Sequence, residues 1–298
     1  MPPGSPAEPE PEEWTPPPLV TRWRQGDVAD PRRYLLFTQR TLRRWDAHVR
    51  NRVFRSDLPD RLAPVFGRQV ISVLGDSHAR VFAEVGHRRA LPRTWIDVTV
   101  ASGATSIGLG NPDSKSDASR RFRSALKAPV PVTRRTLVWL GEIDCGSLIW
   151  VLAENRSTPI SVQLERSLQS YQAFLTALVR EGRPVALVSV VPPTIADYTQ
   201  WDGLEGARNQ VTATLEERTE LTRTYNLRMR EWADREGCGY LDLDPWLLDP
   251  STGLLAEQYR NRVGWDHHLD SAGLSAVLAA RLPALDWPAD AGDESSSP

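Results

Sequence analysis

A serine, a histidine and an aspartate stand in the two segments of the sequence that could perform acyl chemistry. Ser77 follows an apolar run in the turn Gly75-Asp76-Ser77, and His268 lies near the carboxyl end in Asp266-His267-His268. A serine hydroxyl becomes an effective nucleophile when an imidazole takes its proton, and a carboxylate orients that imidazole. These residue types predict Ser77 as nucleophile and a histidine of the segment Asp266-His267-His268 as its base, oriented by a neighbouring carboxylate.

Both segments also have simpler interpretations. Asp76 and Ser77 are common N-capping residues, and the histidine segment could cap the final helix. Asp266, His267 and His268 could instead hold a metal ion, together with Asp242 or Asp244. Since no HxH or HExxH spacing accompanies them, the sequence favours a serine site and predicts neither a metal nor another cofactor.

The elements that must position these residues follow an alternating pattern. Short, nearly continuous apolar runs are typical of strands buried on both faces of a parallel sheet, and amphipathic stretches between them indicate helices. The runs cover residues 70–74, 96–101, 136–140, 185–191 and 240–244, and the helical stretches lie near 76–90, 118–127, 161–181, 208–236 and 271–282. This alternation predicts an α/β fold with a parallel, doubly wound sheet. Ligands bind such sheets at the carboxyl ends of the strands, where Ser77 stands.

The chain ends have a different composition. Residues 1–19 are rich in proline and glutamate, and the polar residues 286–298 close the chain. Such segments bury too little apolar surface to order, so we expect disordered tails. Residues 20–66 contain an amphipathic, arginine-rich helix and predict a helical N-terminal extension. The α/β domain is expected to span residues 67–285.

Composition and charge exclude several functions. The formal net charge of −2 gives no electrostatic basis for binding nucleic acid or an anionic membrane. The acidic, proline-rich start lacks a signal peptide's basic and apolar regions, and the longest apolar run, residues 185–191, is too short to span a bilayer. Cys145 and Cys238 have no CxxC spacing. We therefore expect a cytoplasmic protein with reduced cysteines and no membrane partner.

Four blocks in residues 70–283 together resemble the SGNH hydrolase superfamily, also called the GDSL esterases. They are Gly75-Asp76-Ser77, the segment 101–105 around Gly103, the segment 141–144, and His268 five residues before Gly273. The last interval favours His268 over His267 as the base. The resemblance implies a three-layer α/β/α, flavodoxin-like domain with a five-stranded sheet. It also implies an acyl-Ser77 intermediate and an oxyanion hole made by the backbone N–H groups of Ser77 and Gly103.

The chain departs from the family's pattern at two positions. The third block usually supplies an asparagine to the oxyanion hole, where this chain has Ile143. We expect another donor to replace it, with Asn111 and Asn155 as candidates. The family's acid usually stands three residues before the histidine, where this chain has Trp265, and Asp266 lies one residue later. A serine–histidine dyad is the alternative to a triad.

The sequence indicates a small-molecule acyl ester as substrate. Candidate substrate contacts are Arg80 after the nucleophile, Asp144 in the third block, and the loop residues Trp201 and Trp265, whose rings could stack on a sugar or a natural-product intermediate. Hydrolysis of an O-acyl ester of a polar metabolite or sugar is the expected function. The first alternative is O-acyl transfer, because the Gly-Asp-Ser-His-Ala and His-Leu forms resemble SGNH domains linked to that reaction. The second is a degenerate ligand-binding module.

Overall fold

A computed structural model describes residues 69–87, 91, 94–127, 134–197, 210–262 and 266–288. The chain divides into two compact units, Met1–Ser56 and Asp57–Pro298, and every described residue belongs to the second. The predicted N-terminal tail, the helical extension of residues 20–66, and residues 289–298 lie outside the described part. The predicted boundaries at both ends of the domain therefore stay predictions.

The described residues form one five-stranded parallel sheet, as the sequence predicts. The strands are β1 (Gln69–Gly75), β2 (Thr94–Val100), β3 (Arg134–Trp139), β4 (Val185–Val188) and β5 (Gly239–Leu241). Their order, β2-β1-β3-β4-β5, is the flavodoxin-like order, in which the chain direction across the sheet reverses between β1 and β3. The crevice between the carboxyl ends of these two strands is the expected ligand position, and Ser77 follows β1 directly.

Helices cover both faces of this sheet. They are α1 (Val81–His87), α2 (Ala118–Leu126), α3 (Ile149–Asn155), α4 (Ile160–Arg180), α5 (Leu215–Glu236), α6 (Asp244–Leu247) and α7 (Ser271–Arg281). One buried cluster joins the sheet to α2 through α5, and a second joins its other face to α1, α6 and α7. The result is the predicted α/β/α arrangement. None of the helices in the described ranges has the length and apolar character of a membrane span.

Several element boundaries differ from the sequence prediction for identifiable reasons. The strand β4 stops at Val188 because the Asn226 side chain takes the backbone N–H and C=O of Val190, at 2.7 and 2.9 Å. The helix α5 starts at Leu215 because Thr214 and Glu217 form a capping box. The chain after β3 forms an unpredicted helix, beginning with a π-helical segment (Asp144–Leu148) that continues into α3.

Candidate active site

The nucleophile turn owes its shape to Gly75 and Asp76. A Cβ atom on Gly75 would lie 2.7 Å from both the Ala79 side chain and the Trp139 carbonyl oxygen of β3, so only glycine allows this approach. Asp76 caps the 3₁₀ turn Ser77–Arg80 by accepting the His78 backbone N–H at 2.8 Å. The capping role therefore falls to Asp76, and the Ser77 hydroxyl makes a different contact.

That contact joins Ser77 to the histidine segment. The Ser77 Oγ lies 2.8 Å from Nε2 of His268, and Nδ1 of the same ring lies 2.7 Å from Oδ1 of Asp266. Asp266 Oδ1 also accepts the His268 backbone N–H at 3.0 Å. The carboxylate thus bends back onto the residue two positions later, which brings it to the ring although it stands one place later than in the family pattern. The structure brings together all three residues that the sequence predicts as the catalytic set.

The Asp266 carboxylate has a second neighbour that the sequence does not reveal. Asn261 donates from Nδ2 to Asp266 Oδ2 at 2.9 Å, which fixes the plane of the carboxylate. The two residues meet because Arg260 and Leu269 form an antiparallel bridge that closes the segment between them. No residue spacing signals this contact, because it depends on the closure of the loop.

The histidine loop is anchored to the segment that follows β4. Thr194 donates its hydroxyl to the His267 carbonyl oxygen at 2.5 Å, and Arg260 donates to the Thr194 carbonyl oxygen at 2.7 Å. These contacts hold the loop against the carboxyl edge of the sheet, where β1 delivers Ser77. Thr194 and Arg260 therefore help to keep His268 within hydrogen-bond distance of Ser77.

The electrostatics favour a neutral base beside an ionised carboxylate at neutral pH. Burial lowers the pKa of His268, the nearby His78 lowers it further, and Asp266 partly opposes both. For Asp266, burial raises the pKa, but hydrogen bonds from the His268 backbone and ring outweigh it and leave the pKa below its usual value. A neutral imidazole is the form that can accept the serine proton.

A second imidazole packs against the base. The rings of His78 and His268 lie 4.8 Å apart, and the His78 side chain is almost fully buried. The pair Asp76 and His78 has the same arrangement as Asp266 and His268. Asp76 Oδ1 accepts the His78 backbone N–H and lies 3.2 Å from its Nδ1. His267 lies 4.2 Å from the same ring, so two imidazoles pack against the base in addition to its two hydrogen bonds.

The geometry bears on the metal-site alternative. Ligand atoms of Asp266, His267 and His268 lie within 4.8 Å of one another, close enough to converge on an ion. Both ring nitrogens of His268 already contact Ser77 and Asp266, so an ion bound to His268 would displace one of those contacts. Asp242 and Asp244 do not join the cluster. Asp242 pairs with Arg230, and Asp244 accepts from Asn226.

The loop that carries Gly103 is fixed at both ends. Ala101 donates its N–H to the Gly75 carbonyl oxygen at 2.9 Å, next to the nucleophile turn. At the other end, Ser106 and Ile107 donate their N–H groups to the Asp144 carboxylate at 2.7 and 3.1 Å. Gly103 itself is exposed and has φ +73°, in the left-handed region that favours glycine. Among the described residues its N–H has no hydrogen-bond partner, and it remains available to a ligand.

Asp144 is not the substrate contact that the sequence predicts. Its side chain is fully buried and accepts a third hydrogen bond from the Ser167 hydroxyl at 2.8 Å. Burial raises the pKa of this carboxyl, and the bonds from Ile107, Ser106 and Ser167 partly offset the rise. Asp144 thus acts within the protein, where it ties the Gly103 loop to the helix after β3.

Neither Asn111 nor Asn155 takes the place of the family's oxyanion asparagine in the described residues. Ile143 is half-buried at the start of the helix after β3, the place where the family has its asparagine. Asn155 ends α3, twelve residues further on, which corresponds to about 18 Å along a helix and excludes it from this position. Asn111 is exposed, and its side-chain oxygen accepts the Asp113 N–H in its own turn. No contact within the described ranges links either asparagine to Ser77 or Gly103, so the expected replacement donor is not found there.

Of the remaining predicted substrate contacts, the structure describes only Arg80. Arg80 is exposed and donates to the Ser102 hydroxyl at 2.9 Å, beside Gly103. Trp201 and Trp265 lie outside the described residues, so their predicted roles stay predictions.

Comparisons with known proteins agree with this architecture. The SGNH domain family, described as fused to AT3 domains, matches residues 47–263. The matched segment contains Ser77, Gly103 and Ile143 and ends before Asp266. Comparison with curated proteins finds no match.

Solved structures of similar fold include several acyl-ester enzymes. A proposed acylhydrolase from Bacteroides fragilis NCTC 9343 aligns with a TM-score of 0.50 at 12% identity, over 73% of this chain and 85% of that one. A carbohydrate acetylesterase family member from Sinorhizobium meliloti has a TM-score of 0.47 at 15% identity, over 72% and 96%. A GDSL-like lipase from Bacteroides thetaiotaomicron VPI-5482 has a TM-score of 0.45 at 14% identity, over 73% and 86%. At 12% identity the first likeness shows a shared fold.

The family match covers well over half of the chain and includes the nucleophile turn, the Gly103 loop and the third block. The chain therefore belongs to the SGNH domain family and is an SGNH-type serine hydrolase or acyltransferase.

Proposed function

We propose that this chain is a serine esterase that hydrolyses an O-acyl ester of a small polar metabolite or sugar through an acyl-Ser77 intermediate. The observation that carries the proposal is the continuous relay from Ser77 Oγ through both ring nitrogens of His268 to Asp266, at 2.8 and 2.7 Å. Hydrolysis or transfer of an acyl group is the chemistry of the family. The nature of the substrate and the roles of individual residues are our proposal.

The relay sets the order of proton movements. Nδ1–H of His268 donates to Asp266, which leaves the Nε2 lone pair facing the Ser77 hydroxyl. As Oγ attacks the acyl carbonyl carbon, Nε2 takes its proton, and Asp266 stabilises the resulting imidazolium. The N–H groups of Ser77 and Gly103 stabilise the developing oxyanion. His268 then gives the proton to the departing alcohol, and a water activated by the same nitrogen releases the acyl group from Ser77.

Acyl transfer is the second candidate. The family description supports it as an alternative to hydrolysis, because SGNH domains of this family occur fused to AT3 domains. The acyl-Ser77 intermediate serves both reactions, since a hydroxyl of an acceptor can attack it in place of water. The rate of acyl-enzyme decay in water, measured with and without added polyol acceptors, separates the two. Hydrolysis predicts the free acid as the single acyl product at every acceptor concentration.

A fluorophosphonate probe tests the proposed function directly. A serine activated by His268 should label, and mass spectrometry should place the adduct on Ser77. Prior incubation with EDTA should leave the labelling rate unchanged, because the relay needs no metal. Absence of labelling in folded protein would favour the ligand-binding module, and loss of labelling with EDTA that zinc restores would favour the metal site.

The missing asparagine predicts a gain of function in Ile143→Asn. In the proposed oxyanion hole the donors are two backbone N–H groups, from Ser77 and Gly103, and one donor contributes about 10²- to 10³-fold to the rate of a serine hydrolase. Because the new amide must fit a half-buried position, we expect a smaller effect, a rise of about tenfold in kcat for an activated aryl ester.

Ile143→Leu is the matched control, since leucine has nearly the shape of asparagine without its donor. It should leave kcat near that of the wild type. A fall in kcat for Ile143→Asn, with a normal thermal melt and no fall for Ile143→Leu, would show that another group already occupies the oxyanion hole.

A further inference from the structure

Arg80 shares a face of the nucleophile turn with Ser77. The segment Ser77–Arg80 is a 3₁₀ turn, and with three residues per turn the side chains at positions i and i+3 eclipse one another. Three residues rise about 6 Å along such a helix. The Arg80 side chain therefore leaves the backbone on the same face of the turn as the Ser77 side chain.

A hydrogen bond directs the guanidinium toward the Gly103 loop. Arg80 donates from Nη2 to the Ser102 hydroxyl at 2.9 Å, and Ser102 immediately precedes Gly103. Arg80, Ser102 and Gly103 are all exposed. The charged group thus lies between the nucleophile turn and the loop that offers the second oxyanion N–H, at the open side of the site.

The charge of Arg80 is not balanced within the described part of the chain. No carboxylate there forms an ion pair with it, including Glu84 on the next turn. Asp76, four residues before Arg80, is buried and bonded to His78. Arg120 and Arg218, by contrast, each pair with an aspartate. The hydroxyl of Ser102 is neutral, so it orients the guanidinium fork without neutralising it and leaves further N–H donors for a planar anion.

We propose that Arg80 and Ser102 form an anion subsite beside Ser77, and that the substrate is an acyl ester bearing a carboxylate or phosphate close to the ester group. This inference rests on the proposed esterase function and narrows its substrate class. The anion accepts hydrogen bonds from the guanidinium, and this places the ester carbonyl over Ser77.

Matched ester pairs test the subsite on the full chain. One pair places the anion in the acyl group, as the p-nitrophenyl hemisuccinate and the neutral p-nitrophenyl butyrate. The other places it in the alcohol, as an acetylated uronic acid and its neutral methyl ester. The wild type should favour the anionic member of at least one pair in kcat/KM, and the pair that shows the preference identifies which side of the ester carries the charge.

Variants of Arg80 assign that preference to this residue. In Arg80→Gln, the anionic-to-neutral ratio of kcat/KM should fall about tenfold, the lower end of the scale for one hydrogen bond to a charged group, because the site is exposed to water. Arg80→Lys should recover part of the ratio, because it keeps the charge and loses the planar fork. Raising the ionic strength should lower the ratio in the wild type and change it little in Arg80→Gln.

Arg180→Gln is the matched control, because Arg180 is exposed in the last turn of α4, which leads into the start of β4 at the opposite edge of the sheet. It should keep the wild-type ratio. A wild type that hydrolyses neutral esters and labels with the fluorophosphonate but prefers neither anionic ester would overturn the subsite and leave the esterase intact. An anionic preference that survives in Arg80→Gln would also overturn it.

Discussion

Ser77→Ala should abolish ester hydrolysis and fluorophosphonate labelling and leave the fold intact. The substitution removes one atom, the Oγ that lies 2.8 Å from His268 Nε2. Loss of the nucleophile in a serine hydrolase lowers kcat by up to about six orders of magnitude, which places the expected residual rate at or below the detection limit. The core beside it is unaffected, since Val70, Val73 and Leu74 of β1 keep their packing. Kinetics on aryl esters and a thermal melt measure the two effects separately.

The control for this substitution is Ser161→Ala, at an exposed position in the first turn of α4. It makes the same chemical change outside the Ser77, His268 and Asp266 set and should keep wild-type kcat and labelling. A Ser77→Ala protein that retains a tenth of the wild-type rate, or that still carries the probe on another residue, would contradict the assignment of Ser77. A Ser77→Ala protein that melts several degrees lower would instead show that the hydroxyl has a structural role.

The sequence predicts the parts of this molecule that depend on local pattern. The strands are recognisable because buried parallel strands are apolar on both faces, and the four strands β1, β3, β4 and β5 are almost entirely buried. Ser77 and His268 are recognisable because each stands at a fixed place relative to one strand or one helix. The structure joins them across 191 positions of the chain, and the sheet order alone brings their two segments to the same edge.

Contacts that cross between segments are the parts that the sequence does not predict. Asp144 is predicted as a substrate contact from its place in the third block, yet its carboxylate accepts hydrogen bonds from N–H groups 37 and 38 positions away. The contact of Asn261 with Asp266 depends on a bridge that closes the loop. In both cases a polar side chain forms hydrogen bonds with a buried or half-buried polar group. Only the tertiary fold shows which group that is.

The helix after β3 has too weak a sequence pattern to be predicted. Its first turns are π-helical, and Gly141, with φ +120°, allows the chain to turn sharply out of the strand. The segment lacks a capping residue with a side-chain hydrogen bond at its start, so neither the usual start signal nor a 3.6-residue period predicts it. Ile143, where the chain departs from the family pattern, immediately precedes this irregular segment.

Asp266→Asn should lower kcat by about 10²- to 10⁴-fold and leave the fold intact. In the wild type, Oδ1 of Asp266 accepts both the backbone N–H and the ring Nδ1–H of His268. An asparagine amide that donates to Nδ1 would favour the tautomer with the proton on Nε2, where it faces the Ser77 hydroxyl and cannot accept its proton. The half-exposed position of the pair lets water compensate in part, which sets the lower end of the range. Stopped-flow kinetics of acylation measure the effect.

The pH profile of kcat/KM distinguishes a Ser77–His268–Asp266 triad from a serine–histidine dyad. Asp266 raises the pKa of His268, so its removal should lower that pKa, and the acidic limb of kcat/KM should move to lower pH as the residual activity falls. Asp270→Asn is the control, because this carboxylate caps α7 through the Gly273 N–H and makes no contact with His268. Since asparagine caps a helix about as well as aspartate, it should change both the stability and the pH profile little. A wild-type rate and an unmoved acidic limb in Asp266→Asn would establish the dyad and make the bent-back carboxylate a loop contact only.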